Sequence, residues 1–263
     1  MRRLPDSIRL DYLPGYIFLI LLIGLWEAAS LAQLVDTRYL PGPGRIGKAI
    51  VETIDRGRFL SPVTQTIAAM IPGLALGTFL GICGGVIMGR MPAVRTAFTI
   101  PIEMLRPLPS IVLIPLALLV IGDGWPMEVL LIALPTMWIV WFATLKGVLG
   151  ISKTLIDNAK LFHIGPLQRT MFLVIPAASP MMISGIIIAT GLSLIVAVTV
   201  EIVTGNRGLG AAIIKSQTAF QIPTMYAYVI LSAILGYVMN WLVKSGGRRL
   251  LRWKQFDNRL GTR

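Results

Sequence analysis

The chain is laid out as long apolar runs separated by short polar segments. Six runs are long enough to cross a bilayer as helix, which takes about 20 residues: 13–34, 65–89, 96–121, 126–147, 177–201 and 223–243. Pro107, Pro109 and Pro115 interrupt the third run and predict two helical pieces there rather than one rod. Between the fourth and fifth runs the pattern changes. The stretch "DNAKLFHIGPLQRTMFLVIPAA", residues 157–178, brings an acid, two bases, an amide pair and the chain's only histidine into otherwise apolar surroundings.

Composition agrees with the pattern. Of 263 residues 55% are hydrophobic and only 14% charged, and the mean hydropathy is +0.77. Soluble domains carry about 25% charged residues, so this is an integral membrane protein. The net charge of +12 would suggest nucleic acid in a soluble chain; in a membrane protein, basic residues flank the spans on the cytoplasmic side. With the N-terminus inside, 16 of the 24 basic residues fall on inner segments and 7 on outer ones, and Arg106 stays within the membrane. Both termini and the 157–178 stretch are therefore expected in the cytoplasm. The N-terminus has some features of a signal peptide, including a small-x-small triplet at Ser30–Ala32. Glu27 interrupts that reading, and an uncleaved span is expected. The single cysteine, Cys83, excludes an intrachain disulfide and is expected to pack inside its span.

Two glycine-rich runs invite a nucleotide-binding reading that their details exclude. "GPGRIGKA", residues 42–49, approximates a phosphate loop, but Ala49 stands where a Ser or Thr should ligate magnesium, and no strand precedes it. "GNRGLG" at 205–210 lacks the dinucleotide spacing and a following βαβ unit. There is no HExxH, and His163 alone cannot supply a histidine-based triad or a multi-histidine metal site. The chain is expected not to be an enzyme, to bind no metal and not to hydrolyse ATP itself.

The spans carry few chemical features. Gly73, Gly77, Gly81, Gly85 and Gly89 repeat every four residues and form one slowly drifting ridge, which lets another backbone come close. Packing within the chain is the favoured reading over a subunit interface. Glu103 and Arg106 are spaced to pair on one helical face, and the favoured reading is a structural pair. Glu27 and Glu201 lie late in the first and fifth spans. Glu201, with Ser193 and Met137, is a candidate for a translocation path, since charge in lipid must pair or face a cavity. So few intramembrane charges do not make a proton relay, which points to an external energy source.

"TLIDNAKLF" reads as a short helix with Asp157 and Asn158 near its start. "HIGP" breaks it, and Pro166 suits the first turn of the helix that returns the chain to the membrane. A plain surface loop would leave the apolar face of such a helix in water; a knob that docks into a soluble partner explains it better.

This stretch resembles the cytoplasmic loop of ABC importer permeases, whose pattern is E-A-A, three residues, G, nine residues, then I-x-L-P. With Pro176 as anchor, Ile175 stands at the pattern's Leu and Leu173 at its Ile. His163 stands at its Gly, and Asp157, Asn158 and Ala159 at its E-A-A. Asn158 replaces the first Ala and His163 the turn Gly. Histidine is among the non-glycine residues enriched at positive φ, and Gly165 offers an alternative turn two residues on. "YLPGPGRIGKAI", "LRPLPSIVLIPLALLVIGDG", "VEIVTGNRGLGAAI" and "RRLLRW" extend the resemblance, in order, over residues 39–253 to the nitrate/sulfonate/taurine branch of type I importers.

The resemblance implies an all-α polytopic fold of six transmembrane helices forming one domain over 1–263. That domain comprises a cytoplasmic N-terminus at 1–12, a permease core at 65–243 with its coupling loop at 152–176, and a basic tail at 244–263. It implies two cytoplasmic ATP-binding subunits that carry ATP and magnesium, a periplasmic or lipid-anchored substrate-binding protein, and a second copy of the chain, all at a bacterial inner membrane. Asp157, Asn158, Ala159, Lys160, Leu161, Phe162, His163 and Gly165 would couple the spans to the ATPase. The implied cargo is a small organic or inorganic anion. A vitamin precursor or aromatic acid is the alternative cargo, and a stand-alone carrier or channel the remote alternative function.

Overall fold

Proline and glycine decide where the apolar runs stop. The computed structural model describes residues 13–250, and all the regular structure described is helical. In chain order the elements are α1 (Leu13–Leu31), α2 (Pro43–Asp55), α3 (Leu60–Arg90), α4 (Pro92–Leu105), a 3-10 turn at Ser110–Leu113, α5 (Ile114–Ile121) and α6 (Trp125–Leu149). Then follow α7 (Lys153–Leu161), α8 (Pro166–Arg169), a π segment at Thr170–Val174, α9 (Ile175–Thr204), α10 (Gly208–Thr218) and α11 (Ile222–Leu250). Five stretches are long and apolar enough to cross a membrane, and a sixth counts if the pair around Pro107 and Pro109 is one span. That pair bends by 80°, the break expected from its prolines. The expectations for residues 1–12 and for 251–263 lie outside the described residues; residues 244–250 continue α11.

The chain divides into two compact units, one holding the chain to Leu60 together with Ala212–Leu231, the other Ser61–Ala211 and the chain from Ser232. In the first unit α1 is exposed along most of its length, with Tyr16 to Leu22 all outward. The phosphate-loop look-alike has a structural use here. The Gly44 N–H at the start of α2 donates to Glu27 Oε2 at 2.9 Å, so the helix N-terminus holds an anion, the chain's own carboxylate. A Cβ on Gly42 would come within 2.8 Å of that oxygen.

In the second unit the glycine ridge of α3 lies against α6. A Cβ at Gly73 would meet Ile132 at 2.7 Å, at Gly81 the Met137 carbonyl at 2.7 Å, at Gly85 the Trp141 carbonyl at 2.7 Å, and at Gly89 Val148 at 2.6 Å; at Gly77 it would run into Thr136. Lipid gives helices no hydrophobic reason to associate, so close backbone approach of this kind supplies the dispersion contacts that hold them. α9 packs on the neighbouring face of α6, where a Cβ on Gly185 would meet Ala143 at 2.5 Å. Core clusters join Val86, Val148, Val174, Ala178 and Met182 at one place, and Ile114, Ala117, Met127, Leu131 and Val200 at another.

Two expectations are corrected. Cys83 is exposed on the outward face of α3, because the ridge that packs is four residues per repeat and Cys83 falls between its members. Glu103 and Arg106 form no ion pair among the described residues. The Arg106 guanidinium lies instead over the Phe142 ring, 4.6 Å from its centroid, an alternative way to hold a cation in an apolar setting.

Candidate functional site

The loop between α6 and α9 begins one helix turn before the position expected from Asp157. Ser152 is the N-cap, its Oγ accepting from the Leu155 N–H at 3.3 Å, which leaves Asp157 and Asn158 in mid-helix. The correction is physical: a serine in extended backbone immediately before the helix serves the free N–H groups of the first turn better than an acid five residues in. Asp157 instead accepts from Lys160 Nζ at 2.8 Å. That hydrogen bond, with the lysine's charge, holds the Asp157 carboxyl below its ordinary value.

The helix ends on a complete Schellman turn. Ile164 N–H donates to Ala159 O at 3.0 Å and His163 N–H to Lys160 O at 2.9 Å, the paired bonds that satisfy the last carbonyls of a helix. His163 sits at φ 55°, the left-handed position that glycine usually fills. Gly165 has φ −56°, so the turn has not shifted to it. Ala159 is buried beneath the turn, whereas Leu155, Leu161, Phe162, Leu167 and Phe172 are exposed, Phe162 to 80%. Leu155, Leu161 and Phe162 thus stand exposed on the short polar helix and its cap, while Leu167 and Phe172 belong to the stretch from Pro166 that is apolar enough to enter a membrane.

This knob is tied to the spans. The carbonyl of Pro166 accepts from Arg90 Nη1 at 2.9 Å and from Thr170 Oγ1 at 2.7 Å. The last residue of α3 is therefore bonded to the helix that follows the turn, and the π segment carries the chain directly into α9. Sequence reasoning missed both Ser152 and Arg90. The serine was legible as a cap; the arginine bond spans 76 residues and leaves no local signal.

The other candidates are not brought together with the loop. Glu201 is 1% exposed, its Oε2 accepting from Thr66 Oγ1 at 3.0 Å and from Gly210 N–H at 2.9 Å. The Leu209 N–H donates to Thr66 Oγ1 and the Gly208 N–H to Gln65 Oε1. Gly208, at φ 82°, could not carry a Cβ without overlapping the Glu201 carboxylate. The "GNRGLG" turn thus closes the N-terminus of α10 on an internal carboxyl group. Ser193 is fully buried and donates to Thr190 O at 2.8 Å, and Met137 is half-buried beside the glycine ridge. Glu201 and Ser193 are enclosed, whereas a cavity of about 310 Å³ opens nearby, lined by Pro109, Ser110, Pro135, Ile195 and Thr199 among others.

These features describe a multi-pass helical membrane protein with one protruding, internally braced apolar knob. The family profile described as "Binding-protein-dependent transport system inner membrane component" matches residues 73–252, and the chain belongs to that family. Its similar proteins include permeases named for aliphatic sulfonates in Bacillus subtilis and for nitrate in Leptolyngbya laminosa, 25% and 23% identical over 97% and 88% of this chain and 92% and 85% of theirs. A probable ABC transporter permease protein of Brucella abortus is 27% identical over 235 residues, covering 89% of this chain and 92% of that one. The taurine transport system permease protein of Escherichia coli is 26% identical over 240 residues, covering 89% and 87%. Among solved structures, the inward-facing MetNI methionine ABC transporter superposes with a TM-score of 0.61 over 72% of this chain and 94% of that one, at 18% identity; that likeness shows the fold. Family membership implies a substrate-binding protein and ATP-binding subunits as partners.

Proposed function

We propose that this chain is the membrane-spanning subunit of an ATP-driven importer in a bacterial inner membrane. In this reading the broken pair α4/α5 is one span, making six, and both termini face the cytoplasm. The segment from Asp157 to Gly165 is the coupling helix and its turn. Asp157, Asn158, Lys160, Leu161, Phe162 and His163 meet a groove on a separate ATP-binding subunit, which holds ATP and magnesium, while Ala159 and Gly165 shape the turn. The observation that carries this reading is the exposed cluster of Leu155, Leu161 and Phe162 on α7, whose C-terminal turn leads into α8, the helix that Arg90 of α3 holds at the Pro166 carbonyl. Apolar side chains of that size on an otherwise polar loop are covered in the working assembly, and the Arg90 bond lets movement of the knob reach the spans.

Two copies of the chain, two ATP-binding subunits and one periplasmic or lipid-anchored binding protein complete the machine. Its cargo is a small organic or inorganic anion of the sulfonate, taurine or nitrate kind. Support comes from the taurine permease named above and from the outer segments, whose seven basic residues outnumber their four acids, Asp36, Glu52, Asp55 and Asp123. The test is gentle purification of the tagged protein from its native membrane, with its companions identified by mass spectrometry. An ATP-binding subunit should co-purify with wild type and be lost when residues 157–163 are scrambled. A protein that came out alone, transported without ATP and ignored the scramble would overturn the reading in favour of a stand-alone carrier.

A further inference from the structure

The break between α4 and α5 borders two adjoining hollows of about 310 and 190 Å³, and Leu108, Ser110 and Pro135 line both. All their lining residues belong to the membrane-spanning unit. The smaller hollow reaches Arg106 and Trp138, and the larger reaches Ile195 and Thr199 of α9. Trp138 stands about 16 Å along α6 from its end at Leu149, so the trough lies at the middle of a span. The backbone from Arg106 to Pro109 is not helical. At membrane depth such backbone is tolerated only when buried in protein or lining a water-filled cavity. Leu108 and Pro109 are exposed, which leaves the cavity.

Arg106 is exposed at this trough. Phe142 takes one face of its guanidinium, 4.6 Å from the ring centroid, a contact that uses none of its five N–H donors. Among the described residues no carboxylate pairs with Arg106 and no acceptor takes a hydrogen bond from its side chain. Glu103, the nearest acid along α4, lines neither hollow. A cation in a span is costly unless it pairs or faces water, and such residues mark solute pathways. Ser110, one residue past the break, has a hydroxyl that is also without a partner among the described residues. The Thr199 hydroxyl is turned back to the Ile195 carbonyl at 2.7 Å, so the far wall is apolar.

We infer that Arg106 is the anion-selecting residue of the translocation path, and that this path follows the trough at the α4/α5 break. A guanidinium stacked on a ring keeps its edges free for two oxygens of one anion. Phe142 thus holds the plane of Arg106 while its N–H groups take a sulfonate- or carboxylate-like group, with the Ser110 hydroxyl beside it. The apolar wall of Pro135 and Ile195 receives the carbon portion of an organic anion. Glu201 and Ser193, both enclosed, stay outside the path. The inference rests on the importer reading for its cargo and names a residue which that reading left unassigned.

The test uses the full chain in phosphatidylcholine nanodiscs. Cys83→Ala removes the one native thiol, and Ser110→Cys places a thiol in the trough. The probes are anionic sulfonatoethyl and cationic trimethylammonioethyl methanethiosulfonate. Their rate ratio, divided by the ratio for free mercaptoethanol, cancels thiol ionisation and intrinsic reactivity. Both reagents should label Ser110→Cys, with the anion favoured by about tenfold or more. Arg106→Gln should bring the ratio close to one and Arg106→Lys should keep most of the preference. Arg38→Gln, a cation that lines neither hollow, should change nothing. In Ser110→Cys itself, butanesulfonate should slow labelling and butyltrimethylammonium should not, a measurement that needs no Arg106 variant. Labelling by neither reagent, or no protection by butanesulfonate, would overturn the inference. So would a ratio that Arg106→Gln leaves unchanged, which would reduce the guanidinium to a structural partner of Phe142. No ATP-binding subunit takes part in this experiment, so it and the coupling-loop proposal fail separately.

Discussion

Thr66 and Glu201 are 135 residues apart in sequence and share a hydrogen bond of 3.0 Å inside the membrane-spanning unit. The same threonine oxygen accepts from Leu209 N–H at 2.9 Å, so one hydroxyl serves a buried carboxylate and a helix N-terminus at once. Thr66→Val keeps the shape and removes both bonds. Glu201 keeps the bond from Gly210 N–H, but the Leu209 N–H is left buried without its partner and the carboxyl loses one donor, at a cost of about 2 kcal/mol. Thr66→Ser keeps the hydroxyl and loses a methyl group, at about 1 kcal/mol. Thermal unfolding in detergent, followed by tryptophan fluorescence, should rank them wild type, Ser, then Val; a Val variant as stable as wild type would remove the bond from the account.

Gly81 and Gly47 should respond in opposite directions to alanine. A Cβ at Gly81 comes within 2.7 Å of the Met137 carbonyl and 2.8 Å of Val140 Cβ, and a backbone atom cannot step aside. Gly81→Ala is expected to push α3 from α6 and to destabilise by about 2 kcal/mol. Gly47, on exposed α2, has nothing within 4 Å of the same position, and alanine there should stabilise by up to about 1 kcal/mol through helix propensity. Unfolding of the two variants side by side checks both signs.

Features that depend on one residue type were legible in the sequence. Pro107 and Pro109 announced the broken span because proline removes a donor wherever it stands, and the four-residue glycine repeat announced a packing ridge. The loop was legible because its polarity interrupts a lipid-compatible chain. Relationships made by distant partners were not. Arg106 was read toward Glu103, three residues away, but folding brings Phe142 beneath it. Glu201 and Glu27 read as isolated charges in a span, yet each meets the N–H groups of a helix start, in both cases through glycines that had been set aside as failed nucleotide motifs. The sequence rejected both motifs as nucleotide sites, and what occupies each glycine-rich helix start is a carboxyl group of the chain itself.

The Asp157–Lys160 pair should be indifferent to physiological pH. Its carboxyl is held below the ordinary value of 3.8, first by the lysine hydrogen bond and then by its charge. A lowered folded-state value means that the stabilisation is complete above the ordinary value and is lost only as pH falls below it. Amide exchange protection across α7, corrected for intrinsic rates, is therefore expected to be flat from neutrality down to about pH 5. The acid loss should be absent in Asp157→Asn. A step near neutrality that Asp157→Asn abolishes would contradict this assignment.

The turn at His163 separates shape from contact in the coupling loop. His163 holds φ 55°, which costs a non-glycine residue about 1 kcal/mol or more; glycine fits that position without strain. His163→Gly should therefore preserve the turn and the bond from Ile164 to Ala159, and the ATP-binding subunit should still co-purify. Phe162, one residue earlier and 80% exposed, contributes surface and little to the fold. Phe162→Asp should leave unfolding of the isolated chain unchanged while removing the partner, since truncating a central aromatic anchor typically costs an interface about 2 kcal/mol or more and a buried charge adds to that. Unfolding and co-purification of the two variants together separate the roles. If His163→Gly lost the partner and Phe162→Asp kept it, the imidazole rather than the apolar knob would be the docking contact.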